Sequence, residues 1–144
     1  METDDQLAGL YRGVILEHNK APHFFEKRPE ARYVVEAFNP LCGDKFRLYL
    51  DIEQDVIARA TFHGYGCAVS KASASVLMTK IQGLALADLP DLLDRFLQAV
   101  ARGESPGLDT DTTAFAVARN FPGRERCATL VWDALLVWKL EIRN

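Results

Sequence analysis

Apolar residues recurring at i, i+3, i+4, i+7 and i+8 open the chain. Leu7, Leu10, Tyr11, Val14 and Ile15 share one face of a helix predicted from about Asp5 to about Asn19. Pro22 prevents easy continuation, and residues 21–32 read as a loop. The period then changes to two. Tyr33 to Phe38 is rich in β-formers and ends at Asn39-Pro40. From Lys45 to Ile52, Phe46, Leu48, Leu50 and Ile52 alternate with Lys45, Arg47, Tyr49 and Asp51. After a turn at Glu53-Gln54-Asp55, Val56, Ala58, Ala60 and Phe62 carry the alternation to about His63. Such close spacing predicts an antiparallel meander with one wet face.

Small residues dominate from Cys67 to Met78, predicting a helix to Ile81 that packs close to its neighbours, with Gly83 as its stop. Leu92, Leu93, Phe96, Leu97 and Val100 mark another amphipathic helix between Pro90 and Gly103. Residues 103–111 form a polar loop, and Thr112 to Arg119 a short helix. The last helix is expected from near Cys127 to about Glu141, burying Leu130, Val131, Ala134, Leu135 and Trp138. Trp132 falls off that stripe and is expected to be partly buried. The order α-β-β-β-α-α-α predicts an α+β fold, a three-stranded antiparallel sheet with helices packed on one face. No repeat, low-complexity tract or second domain is evident, so residues 1–144 are expected to form a single domain.

Composition narrows the function. The chain is 49% hydrophobic and 26% charged, as ordinary globular proteins are. A formal net charge of −3 argues against nucleic acid as the main partner, because phosphate binding wants a basic face. No apolar run reaches the roughly 18 residues of a membrane span. The acidic start Met1-Glu2-Thr3-Asp4-Asp5 lacks the hydrophobic region of a secretion signal. With an odd cysteine count, this points to a reducing compartment, the cytoplasm.

The candidate chemistry lies in three cysteines. Cys42 sits in Asn39-Pro40-Leu41-Cys42-Gly43-Asp44, Cys67 follows Gly64-Tyr65-Gly66, and Cys127 follows Phe121-Pro122-Gly123-Arg124-Glu125-Arg126. All lie in turns or at helix starts, where side chains can converge and where helix N-termini favour thiolate. With Asp44 they offer three soft ligands and one hard one, a set that suits zinc. Gly43 permits the tight backbone that points Cys42 and Asp44 the same way. Three thiolates and one carboxylate around a divalent ion leave two negative charges, and Lys45, Arg124 and Arg126 stand close enough in sequence to offset them. The competing reading makes the cysteines small buried hydrophobes. His63 falls on the polar strand face with Arg59 and Thr61, and His18 and His23 are expected at the surface. Ser70, Ser73 and Ser75 lack a nucleophile elbow, and small-residue packing accounts for them. Asp88, Asp91 and Asp94 read as a solvated helix face.

At these motifs the chain resembles the IscU/NifU N-terminal family of iron–sulfur assembly proteins, and within it the SufU branch. The Cys42-Gly43-Asp44 motif, the run Gly66-Cys67-Ala68-Val69-Ser70-Lys71-Ala72-Ser73-Ala74-Ser75 and the stretch from Phe121 to Leu130 carry the likeness, in family order. Arg126 stands where IscU-type scaffolds carry a His before the third Cys. Phe121-Pro122-Gly123-Arg124-Glu125 replaces their Leu-Pro-Pro-Val-Lys chaperone-docking segment, so chaperone engagement is not carried over. The resemblance implies the IscU/SufE-like α/β sandwich and a zinc ion on Cys42, Asp44, Cys67 and Cys127, with a [2Fe–2S] cluster on the same residues as the alternative. It implies a pyridoxal-phosphate cysteine desulfurase of the SufS type as partner, with Cys42 accepting persulfide sulfur, so the chain would be a sulfurtransferase or desulfurase activator rather than a stand-alone enzyme. Arg124 matches a basic position of the branch and is expected to serve the site's electrostatics.

Overall fold

A three-stranded antiparallel sheet in the order β1-β2-β3 carries the helices of this chain against one of its faces. The computed structural model describes residues 4–41, 43–103, 108–121 and 123–142. The strands are β1 (Tyr33–Asn39), β2 (Asp44–Glu53) and β3 (Val56–Tyr65). Val35 pairs with Leu48 and Leu48 with Phe62, so the alternating apolar residues of all three strands fall on one side. On that side Val35, Ala37, Phe46, Leu48, Leu50, Ala60 and Phe62 are buried. A register shift between Asp51 and Ile52 ends the regular alternation near the β2–β3 turn. The opposite face is open at its site end, although Tyr49, expected on the wet face, and its partner Thr61 are buried on it. Glu36, Arg47 and His63 form one row across it, and Phe38, Lys45 and Tyr65 the next. The outer edge of β3 is covered in part by the loop after the first helix. There the Glu26 amide donates to the Phe62 carbonyl at 2.9 Å, and the Phe62 amide to the Phe24 carbonyl at 3.0 Å.

The helices are α1 (Asp4–Lys20), α2 (Ala68–Ile81), α3 (Leu89–Arg102), α4 (Thr110–Ala114) and α5 (Arg124–Ile142). The element from Thr112 to Arg119 differs from expectation: it is the end of α4 followed by a 3-10 stretch, Phe115–Asn120. Helix α5 begins a turn earlier than expected, which places Cys127 inside its first turn. Its buried face is also rotated by about one residue. Cys127, Ala128, Val131, Trp132 and Leu135 are buried, because α5 packs against α2 and α3 as well as β1. Trp132, expected to be partly buried, is a core residue stacked on Phe96 with ring centroids 3.7 Å apart. Trp138 is only partly buried, edge-on to Tyr33.

Helix α2 runs through the middle of the molecule, with ten of its residues buried from Val69 to Ile81. Its small side chains allow that, and its serines do more than save space. Ser73 Oγ donates to the Ala128 carbonyl at 2.5 Å and accepts from Trp132 Nε1 at 2.9 Å, which locks α2 to α5. Ser75 Oγ lies 2.8 Å from His18 Nδ1. His18, expected at the surface, is therefore buried between α1 and α2, whereas His23 and His63 are exposed. Among the described residues no helix is long and apolar enough to cross a membrane.

Candidate metal centre

The start of β2, the start of α2 and the start of α5 meet at one end of the sheet. Asp44 is the first residue of β2 and pairs with Asn39, the last residue of β1. Gly43 precedes it with φ +73°, a conformation that costs a glycine least. On the next strand β3 ends at Tyr65, and Gly66 passes so close to the site that a Cβ there would sit 2.8 Å from Asp44 Oδ1 and 2.7 Å from Ser70 Oγ. Only a residue without a side chain lets the chain through. Cys67 then caps α2, with extended backbone, and its sulfur accepts the Ser70 amide at 3.4 Å. Its own amide donates to Asp44 Oδ1 at 2.9 Å, clamping the two ends of the cluster together. Cys127 comes from α5, is 1% exposed, and donates to the Gly123 carbonyl at 3.6 Å. One ligand atom each from Asp44, Cys67 and Cys127 lies within 4.8 Å of the other two.

The electrostatics of this cluster are incomplete in a telling way. Asp44 is 1% exposed, and its Oδ2 is buried with no hydrogen-bond partner. A buried carboxylate oxygen without a partner is costly, and a cation between Asp44 and the sulfurs would supply what it lacks. Two thiols and a carboxylate are also a donor set that zinc accepts. The residues present therefore fit a divalent metal. Burial pushes the Cys67 thiol up, but the Ser70 hydroxyl and amide and the Cys127 side chain outweigh it and hold the thiol below its ordinary range. Arg124, exposed in the first turn of α5, has its guanidinium held more firmly protonated by Cys127 first and by the negative charge of Cys67 second. Burial raises the Tyr11 phenol from 10.0 to about 12 against the pull of Arg124, so it stays protonated.

Of the expected site residues, Asp44, Cys67 and Cys127 come together with Arg124 beside them. Cys42 lies outside the described residues, between the exposed Leu41 and Gly43. Arg126 lines a shallow cavity of about 270 Å³ with Phe38, Asn39, Pro40 and Leu130. His63 stays on the open sheet face opposite Arg47. Two residues near the site have features that the sequence does not announce. Ser70, three positions after Cys67, had its signal in the spacing of a helix cap. Tyr11 was assigned to a helix stripe, and nothing in the sequence says that its hydroxyl has no partner. Phe38, Leu41 and Tyr65 are large apolar side chains left exposed at this end of the sheet.

Residues 10–118 match the model of the NifU-like N-terminal domain. The chain is 34% identical over 138 residues to the zinc-dependent sulfurtransferase SufU of Bacillus subtilis, spanning 94% of this chain and 92% of the relative. It is 32% identical over 128 residues to the iron–sulfur cluster assembly scaffold protein IscU of Thermotoga maritima, spanning 88% and 89% of the two chains. Among solved structures, one assigned as the iron–sulfur cluster assembly scaffold for the SUF system of Fervidobacterium islandicum superposes with a TM-score of 0.78 at 28% identity. That superposition covers 90% of this chain and 96% of the other. The chain belongs to the NifU-like N-terminal domain family.

Proposed function

We propose that this member of the NifU-like N-terminal family serves iron–sulfur cluster assembly in the cytoplasm, as a single-domain, zinc-dependent acceptor of persulfide sulfur from a SufS-type cysteine desulfurase. The observation that carries the reading is the convergence of Asp44, Cys67 and Cys127 around a buried carboxylate oxygen that has no partner. Those three residues would hold the metal, with Cys42 as the fourth ligand by its position in the Cys-Gly-Asp motif. Bound there, zinc would keep its thiolates deprotonated at neutral pH.

The chain's own residues do the rest. The Cys42 thiolate attacks the outer sulfur of the desulfurase's cysteine persulfide. A new S–S bond forms on Cys42 as the old one breaks, and the desulfurase cysteine leaves as thiolate, so no electron is gained or lost overall. Ser70 and the Asp44 clamp keep Cys67 in place while this happens. Arg124 offsets the excess negative charge of the ligand set. The partner is a protein, and the exposed Phe38, Leu41 and Tyr65 beside the site supply apolar surface for it.

The test is desulfurase turnover with and without the chain, on protein purified without oxygen and assayed for metal. One zinc per chain and strong stimulation are expected, and Cys42→Ser should abolish the stimulation. Asp44→Ala should lower zinc affinity at least about 100-fold, since even outer partners of metal ligands are worth about 10–100-fold. A chain free of zinc that leaves turnover unchanged sinks the reading. The scaffold name of the Thermotoga relative favours a second reading, a [2Fe–2S] cluster assembled as cargo on the same residues. An iron–sulfur chromophore that passes intact to an apo-ferredoxin would select it.

A further inference from the structure

The open face of the sheet gathers positive charge where it adjoins the metal centre. Phe38, Lys45 and Tyr65 lie in the row next to the Asn39–Asp44 pair, with Arg47 and His63 in the row behind. The loop after α1 closes one side. Its Phe25 bridges to Phe62 on the edge of β3 and stacks against His63 with ring centroids 4.6 Å apart. The Lys71 ammonium sits 4.8 Å from the centre of the same Phe25 ring. Arg28 is buried and paired with Asp51, which fixes the loop across the far end of the face and sets Lys27 beside the strands. Lys27, Lys45, Arg47, Tyr49, His63 and Tyr65 together line a trough of about 270 Å³.

Among the described residues no acidic side chain lines the trough. Arg47 Nε reaches Glu36 Oε1 at 3.3 Å, but the two side chains are 44% and 59% exposed, and such a pair is worth little in water. Lys27 and Lys45 form no ion pair among the described residues. The chain as a whole carries −3, so this concentration of cations is a local feature and not a reflection of composition. Four of the seven lining residues are exposed, so the trough cannot enclose a small molecule as ligand pockets do. It can receive side chains from the surface of a second protein. The exposed rings of Phe38 and Tyr65 beside the cations supply the mixture of aromatic and basic groups that protein interfaces favour.

We propose that this basic trough docks a carboxylate-rich segment of the protein partner, which reaches the metal centre across the adjoining row of Phe38, Lys45 and Tyr65. This rests on the sulfur-transfer reading above and deepens it, by naming the chemistry of the surface that the partner presents. Glutamate or aspartate side chains of the partner pair with Lys27, Lys45 and Arg47, while its apolar contacts fall on the two exposed rings. Charge pairs at such a solvent-facing rim act mainly on encounter and orientation, and salt weakens them.

A fluorescein-labelled hexaglutamate peptide, followed by anisotropy against the full chain, tests the trough without any desulfurase. Binding is expected at low salt and should fade as salt rises. Lys27→Glu together with Arg47→Glu should weaken it about tenfold or more, and Lys27→Gln with Arg47→Gln by less. Arg95→Glu with Arg102→Glu changes the net charge equally on α3, which packs on α5 rather than on the sheet, and should leave binding near that of the parent. In turnover assays the Lys27→Glu, Arg47→Glu chain should need a similarly higher concentration to half-saturate the desulfurase, with its zinc content unchanged. A parent that does not bind the peptide overturns the proposal, as does an equal loss from the trough and α3 variants. An oligothymidylate that binds the trough more tightly than the peptide overturns it in favour of nucleic acid. Peptide binding lost in the trough variants of a chain that never stimulates a desulfurase sinks the sulfur-transfer reading and leaves the trough standing. Stimulation that the trough variants keep in full sinks the docking role and leaves sulfur transfer standing.

Discussion

Helix α2 presents buried polar groups at two places, and they differ in a way that separates structure from chemistry. At Ser75 every valence is used. The His23 amide donates to Ser75 Oγ at 2.7 Å, Ser75 Oγ sits 2.8 Å from His18 Nδ1, and His18 Nε2 lies 3.5 Å from Asp111 Oδ2. The chain of donors closes if Ser75 gives its proton to Nδ1 and the ring proton sits on Nε2. Three elements, α1, α2 and α4, are fastened by it. At Cys67 the opposite holds, for Asp44 Oδ2 and the Tyr11 hydroxyl are buried and unmatched. A serine, a histidine and an aspartate in line look like hydrolytic machinery, but Ser75 is fully buried and its oxygen already accepts a backbone amide. The satisfied cluster holds the fold. The unsatisfied one leaves a buried carboxylate oxygen that a cation could satisfy.

The sharpest way to break this comparison is His18→Ala. It opens a cavity and removes the imidazole that both Ser75 and Asp111 contact, so it should cost about 3 kcal/mol of stability in urea denaturation. Zinc uptake by the folded fraction should not change. If His18→Ala leaves stability intact but weakens zinc, the roles of the two clusters have been assigned the wrong way round.

The sheet was legible because a period of two, with β-rich runs bounded by turns, has few alternative readings. Phe46, Leu48 and Leu50 fall on the buried side as their alternation requires. The cysteine and aspartate motifs were legible for another reason. Asp44, Cys67 and Cys127 sit at element ends, and the meander with α2 and α5 against one face brings those ends together. Where the pattern was ambiguous, the reading failed. On α5 apolar residues occur nearly all round, so periodicity could not choose between the face of Trp138 and the face of Trp132, and packing against α3 decided it. His18 was missed because a lone histidine near a helix end carries no sign of a distant Ser75 that satisfies it. Tyr11 was correctly placed in the core, but the missing partner of its hydroxyl is a property of the folded chain alone.

A smaller effect is expected at Asp109, which anchors α4 and so supports the Asp111 end of the satisfied cluster. Its Oδ1 accepts the Thr112 amide at 3.0 Å as a helix cap, and its other oxygen pairs with Lys80. Asp109→Ala should cost about 1 kcal/mol, the usual worth of such a cap. Burial pushes the Asp109 carboxyl up, but Lys80 and Thr112 outweigh it and hold it below the ordinary carboxylate range. A carboxyl depressed by folding contributes stability in full above its unfolded value and loses it as pH falls through its folded one. The gap between parent and variant should therefore be constant at neutral pH and close below about pH 4. A gap that widens in acid would remove Asp109 from this account.

The finest discrimination comes from two serines of the same helix. Ser70→Ala removes the hydroxyl that lies 3.5 Å from the Cys67 sulfur but keeps the amide that the sulfur also accepts. That hydroxyl helps hold the Cys67 thiol below its ordinary range, so its loss should move the thiol upward and slow its alkylation at neutral pH. Site-resolved mass spectrometry on metal-free protein would follow Cys67 by itself. Ser75→Ala, from the satisfied cluster, should lower stability by about 1–3 kcal/mol through the partners it strands and leave the Cys67 alkylation rate where it was. Ser70→Ala should do the reverse, with little change in stability, because its hydroxyl sits beside a half-exposed sulfur rather than inside a closed network. If both variants slowed alkylation equally, the thiol would be reporting the integrity of α2 as a whole, and the division of that helix into a structural half and a chemical half would fail.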